Sequence, residues 1–127
     1  MKKISALIFT TISAAVLVFA CSPSPEQQVS YKATVKPIID KHCTECHLPG
    51  GQGATISGFQ LDSYENLMKG TKFGPVVIAG DALSSSLYRM VSGKVDKSIR
   101  MPHSKDPMPA TEVAAIEKWI DQGAKNN

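Results

Sequence analysis

The 127-residue chain contains only three cysteines, Cys21, Cys43 and Cys46. A structural zinc site usually takes four ligands from two such pairs, and no second close pair accompanies Cys43 and Cys46. Acidic and basic residues nearly balance, with 14 Lys and Arg against 11 Asp and Glu and no basic patch, which argues against nucleic-acid binding. The sequence also lacks internal repeats, a phosphate-binding glycine motif and a nucleophile–base set, so nothing in it indicates independent catalysis.

One stretch carries most of the chemical information. Cys43-Thr44-Glu45-Cys46-His47 reads C-x-x-C-H, the attachment signature of a c-type haem. In a helix, positions i, i+3 and i+4 share one face, so both cysteines can reach the vinyl groups of one porphyrin while His47 faces the iron from the proximal side. A thioredoxin-like redox pair would need a βαβ setting, which the flanking sequence does not offer. The motif predicts one covalently bound haem c held by Cys43, Cys46 and His47.

The beginning of the chain predicts export. Lys2 and Lys3 precede an uncharged, mostly apolar run that is at the short end for a membrane span, which is the layout of a secretory signal peptide. Val18-Phe19-Ala20-Cys21 resembles a bacterial lipobox. The resemblance implies cleavage before Cys21 and a lipid on that cysteine, which leaves no cysteine for a disulfide or a free thiol.

Three regions follow from these features. Residues 1–20 are predicted to be the signal peptide, and residues 21–30, which are rich in Pro, Ser and Gln, a lipid-anchored flexible tether. Residues 31–127 have the size of one small domain. A covalently held haem would supply apolar surface that so small a core lacks.

Apolar spacing in the domain predicts several short helices and no convincing sheet, which indicates an all-α fold. One helix enters the haem motif with Thr34 as its N-cap, and a second has Asp62 as its N-cap. A third begins at Ser84 or Ser85. The last has Pro109 in its first turn and ends at Gly123. The glycine-rich residues 50–58 are predicted to be a flexible loop, and residues 73–78 an extended core segment.

The sequence motifs alone do not identify a single residue as the second iron ligand. The candidates are Met68, Met90, Met101, Met108, His42 and His103. Met68 and Met90 fall on apolar helix faces, where core packing accounts for them. His42 directly precedes Cys43 and is too constrained to cross to the other haem face, and His103 reads as an exposed loop residue. Met101 and Met108 both lie in the loop before the last helix, and both remain open on this reasoning.

The domain resembles small monohaem, class I-like cytochromes c, and among these the planctomycete-type domains most. The resemblance rests on the C-x-x-C-H motif and on Leu61-Asp62-Ser63-Tyr64, Gly80-Asp81, Ser86-Leu87-Tyr88-Arg89, Met101-Pro102 and Trp119-Ile120-Asp121-Gln122-Gly123-Ala124. It implies several short helices around one covalent haem, with Met101 of the Met-Pro pair as the distal iron ligand. Met108, which matches the residue that opens the last helix of the family, is the alternative.

The resemblance also sets an expectation for function. His/Met ligation leaves no open iron position and raises the reduction potential, so the protein is expected to carry single electrons rather than to act as an enzyme. Anchored through Cys21 on the periplasmic side of a bacterial cell envelope, it would exchange electrons with redox partner proteins, and Ser22 favours the outer membrane in a Gram-negative cell. The alternatives are an electron-entry module of a periplasmic dehydrogenase or oxidase complex, and a haem sensor with a labile distal ligand.

Overall fold

The computed structural model describes residues 26–127, so the predicted signal peptide and Cys21 lie outside the described residues. Within this range the chain forms six α-helices and no strand, which confirms the all-α prediction. The helices are α1 (Lys36–His42), α2 (Thr44–His47), α3 (Gln52–Ser57), α4 (Tyr64–Lys69), α5 (Ser86–Val91) and α6 (Ala110–Asp121). A π-helical turn, Tyr31–Val35, runs directly into α1, and a 3₁₀ turn spans Lys97–Ile99. No helix in this part of the chain is both long and apolar enough to cross a bilayer.

The helical run from Tyr31 to His42 packs antiparallel to α6. At one end of the pair, His42 Nε2 lies 2.5 Å from a carboxylate oxygen of Glu112, in the first turn of α6. At the other end, the Val29 amide donates to the side-chain oxygen of Gln122 at 2.7 Å, just after α6. This pairing places the start of α6 beside the end of α1, where the haem motif begins.

An aromatic cluster joins the first helical run to α4 and α6. The Tyr31 ring lies 5.1 Å from that of Tyr64 and 5.6 Å from that of Trp119, measured between centroids. The Trp119 indole N–H donates to the Lys125 carbonyl at 2.9 Å, and the Tyr64 hydroxyl donates to the Ala124 carbonyl at 2.7 Å. The polar edges of both rings are therefore satisfied inside the core. Other buried members of this core are Val35, Ile38, Ile39, Phe59, Leu61, Leu67, Val76, Val77, Tyr88, Val91, Met108, Ile116 and Ile120.

Two helices begin at residues other than the predicted ones. The first helical run starts after Ser30, not at Thr34, because the Ser30 hydroxyl accepts the backbone N–H three residues on at 3.1 Å. Ser63 caps α4 in the same way. The Asp62 carboxylate instead accepts from the side-chain amide of Asn66 at 2.7 Å, so the predicted capping box does not form.

The glycine-rich segment contains a helix that the sequence did not predict. Gly51 has extended backbone geometry and leads into α3, and Gly58 ends it in the left-handed region at φ 74°. The hydroxyls of Thr55 and Ser57 donate to carbonyls one turn earlier, at 2.9 and 2.6 Å. The many glycines suggested flexibility, but two of them serve as the ends of a short helix.

The remaining predictions of local structure agree with the fold only in part. Residues 73–78 form no strand, and Val76 and Val77 of this segment are buried, but Phe73 and Ile78 are exposed, so only its middle lies in the core. Pro109 precedes α6 as its N-cap rather than lying in its first turn, and Gly123 follows the helix at φ 96°. α5 begins after Ser85, as predicted, but the Ser85 hydroxyl does not cap it. This buried hydroxyl instead accepts the Ile78 amide at 2.8 Å and donates to the Asp81 carbonyl at 2.8 Å.

Substitution of Trp119 tests the aromatic cluster as the main support of the fold. Trp119 is 1% exposed, so Trp119→Ala should lower the free energy of unfolding by about 3–5 kcal/mol. Phe73 is 86% exposed, and Phe73→Ala should change it by no more than about 0.5 kcal/mol. Chemical denaturation of the haem-loaded proteins measures both. Equal effects of the two substitutions would contradict this assignment of the core.

Candidate haem-attachment site

The haem motif occupies a helical turn that continues α1 after a slight bend. Cys43 lies at the bend, with φ −119°, and its amide still donates to the Ile39 carbonyl at 2.9 Å. The His47 amide donates to the Cys43 carbonyl at 3.0 Å, as in an α-helix. Cys43 and His47 therefore lie one turn apart on one face, as the spacing predicted.

The His47 ring is held by a backbone carbonyl that the sequence did not identify. His47 Nδ1 lies 3.0 Å from the Phe59 carbonyl oxygen. Since a carbonyl oxygen only accepts, Nδ1 carries a proton, and in the neutral ring the lone pair is on Nε2. The buried Phe59 ring packs edge-on against the imidazole, with centroids 5.3 Å apart. This arrangement fixes the ring and its tautomer in the form that a metal requires.

Gly53 of α3 leaves space beside the imidazole. A Cβ at this position would lie 2.8 Å from His47 Cε1 and 2.9 Å from Nε2, closer than real Cβ contacts. It would also lie 3.0 Å from the Cys46 carbonyl oxygen. α3 therefore approaches the motif closely because this residue has no side chain.

The two thiols are free, and the environment of Cys43 does not suit a reactive redox cysteine. Burial, followed by the charge of Asp40 and the proximity of Cys46, raises the pKa of the Cys43 thiol to about 11. A thiol with this pKa is protonated at neutral pH, whereas a catalytic cysteine needs an accessible thiolate. In residues 26–127 no three His, Cys, Asp or Glu side chains are grouped as a metal site, so nothing supports the zinc alternative.

These observations fit a covalently bound haem. The motif offers two free thiols, an imidazole whose Nδ1 and not Nε2 is hydrogen-bonded to the Phe59 carbonyl, and a glycine where a larger residue would crowd Nε2. Cys43, Cys46 and His47 are the residues that would hold the group. Their individual roles stay predictions.

Met101 and Met108 have different surroundings. Met101 is partly buried against the core, and its amide donates to the Met90 carbonyl at 3.2 Å. Met108 is 6% exposed and belongs to the core itself. Among the other candidates, Met68 packs partly buried against the core and His103 is exposed.

Two ionic contacts near the haem motif were not anticipated. Glu112 contacts Lys41 at 2.9 Å as well as His42, and the hydrogen bond from Lys41 holds the pKa of the Glu112 carboxyl below its usual range. Lys105 forms an ion pair with Glu45, inside the C-x-x-C-H motif. The partners are 60 or more residues apart in sequence, so no local pattern could have indicated these contacts.

Comparison with known protein families gives a match for the middle of the chain. Residues 43–104 match the family model described as Planctomycete cytochrome C. Neither the curated proteins nor the solved structures gave a match. The matched segment begins at Cys43, runs through α2 to α5 and includes Met101.

Substitution of Gly53 tests the close approach of α3 to His47. Gly53→Ala should push the imidazole or α3 aside, because the new Cβ would overlap the ring. We expect a lower yield of haem-loaded protein, or a shifted reduction potential in the protein that does form. Gln52→Ala, an exposed change on the same helix, is the control. Unchanged yield and potential in Gly53→Ala would contradict the described contact.

Proposed function

Residues 43–104 match a cytochrome c family model, and on that premise we propose that the protein is a lipid-anchored carrier of single electrons with a haem ligated by His47 and Met101. The match itself suggests haem-based electron transfer in general. The ligand pair, the anchor and the role as a carrier between redox partner proteins are the further steps of the proposal.

The observation that carries the proposal is the hydrogen bond from His47 Nδ1–H to the Phe59 carbonyl oxygen, at 3.0 Å. It leaves Nε2 as the only ring nitrogen that can bind iron. Such a contact also makes the imidazole a more basic ligand and limits its rotation. A histidine ring held in this way suits an iron that changes its oxidation state while its ligands move little.

Bound haem supplies reversible one-electron chemistry between Fe(III) and Fe(II). The contribution of the chain is to hold that group in place. Cys43 and Cys46 attach it, His47 orients it, and the packed core around Phe59 limits the access of water. No nucleophile–base pair beside the motif suggests a reaction on a separate substrate, which favours a carrier over an enzyme.

Two observations favour Met101 over Met108 as the distal ligand. Met101 lies within the segment that matches the family, and Met108 lies beyond it. Met108 is also buried in the core beside α6, where its side chain already has a packing role. Met101 is only partly buried, so its thioether is the more available of the two.

The contacts of residues 26–30 bear on the proposed anchor. Glu26 pairs with Lys118 at 3.1 Å, and the Gln27 carbonyl accepts from the Gln122 side chain at 3.2 Å, so this part of the predicted tether lies along the end of α6. The haem motif is at the opposite end of the antiparallel helix pair from Val29 and Gln122. In this proposal a lipid on Cys21 anchors the domain through the segment that precedes these contacts, and the haem motif exchanges electrons with partner proteins of the cell envelope.

The distal ligand can be tested by absorption spectroscopy of the ferric protein. A bond between methionine sulfur and Fe(III) gives a weak far-red charge-transfer band. Met101→Ala should abolish this band, whereas Met108→Ala should retain it and mainly lower stability, by about 2–5 kcal/mol for a buried methionine. Loss of the band in Met108→Ala alone would reverse the assignment. A wild-type protein that is high-spin would instead support a sensor.

The anchor can be tested by cell fractionation. Cys21→Ala should move the haem-loaded protein from the membrane to the soluble fraction, because the acyl chains would be absent. Ser22→Ala, which leaves the cysteine in place, is the control. Retention of Cys21→Ala in the membrane fraction would contradict the lipid anchor without affecting the assignment of the haem ligands.

A further inference from the structure

The segment that would carry the distal ligand is weakly held along most of its length. We call residues 101–109 the distal loop. It starts with the hydrogen bond from the Met101 amide to the Met90 carbonyl and ends where the buried Met108 side chain enters the core. Between these points the backbone turns at His103 and Ser104, and residues 102–107 make no backbone–backbone hydrogen bond of good geometry within the described part of the chain.

One polar contact crosses from the middle of this loop to the haem motif. The Lys105 ammonium donates a hydrogen bond to the Glu45 carboxylate and forms an ion pair with it. Glu45 is one of the two variable positions of C-x-x-C-H and has no part in attachment or ligation. Its carboxylate is therefore free to make this contact.

We propose that Lys105 and Glu45 are positioning residues that hold the distal loop against the haem motif and so keep the Met101 sulfur on the iron. The inference rests on the proposed function, since Met101 has to be the ligand. Breaking the pair would leave the fold intact but let the loop open more often, so that an external ligand replaces the thioether faster.

The expected effect is modest because the pair is exposed. The Lys105 and Glu45 side chains are 49% and 72% exposed, and such pairs contribute little free energy. The corresponding change in a rate of opening is about two- to fivefold. Salt should weaken the pair, since exposed charges are screened within about 10 Å at 0.1 M ionic strength.

The test is the rate at which cyanide binds to the ferric, haem-loaded protein at low salt. Lys105→Gln and Glu45→Gln should each raise this rate about two- to fivefold, and the increase should disappear in high salt. The exchanged pair, Lys105→Glu with Glu45→Lys, should restore the wild-type rate. Lys118→Gln removes a comparable exposed pair with Glu26, far from the loop, and should leave the rate unchanged.

The two single variants also separate loop opening from a simple effect of charge on the incoming ligand. Their charge changes have opposite sign, so a field effect would raise one rate and lower the other, whereas loss of the contact raises both. Opposite responses, or unchanged rates, in a protein that has the far-red band would overturn this inference alone. A wild-type protein without the band would overturn the ligation by Met101 and this inference with it.

Discussion

The antiparallel pairing of the first helical run with α6 is the constraint on which the other parts of the structure depend. It is fixed at one end by Glu112 with Lys41 and His42, and at the other by the contacts of Val29 with Gln122. Because α6 follows the distal loop and α1 precedes the haem motif, this pairing brings the two segments together. The two ends of the helix pair thereby have different neighbours, the haem motif at one end and Val29 at the other.

Around His47 the structure relies on main-chain groups and on a missing side chain. The Phe59 carbonyl sets the tautomer, and Gly53 lets α3 approach the ring. Neither feature is a side-chain ligand, yet both decide how the imidazole is presented. A C-x-x-C-H motif thus supplies the reactive groups, and the segment from α3 to Phe59 supplies their orientation.

The helices with strong apolar spacing could be predicted, and the short capped elements could be predicted only in part. The spacing of Val35, Ile38 and Ile39 indicated the first helix, but Ser30 and Ser63 cap the helices where Thr34 and Asp62 were expected. Neighbouring polar residues compete for the same backbone N–H groups, and small differences in backbone direction decide between them. α3 was missed because its glycines resemble those of a loop.

The sequence by itself determined the helical class and predicted the cofactor chemistry, because both depend on local patterns: the periodicity of apolar residues, and the spacing of two cysteines and a histidine. It also limited the distal ligand to a few side chains. Only the tertiary structure decided which carbonyl accepts the hydrogen bond from His47 and where Glu45 and Glu112 make their ionic contacts. It also decided that Met108 is the methionine buried in the core. These features join residues far apart in the chain, and their geometry exists only once the helices have packed.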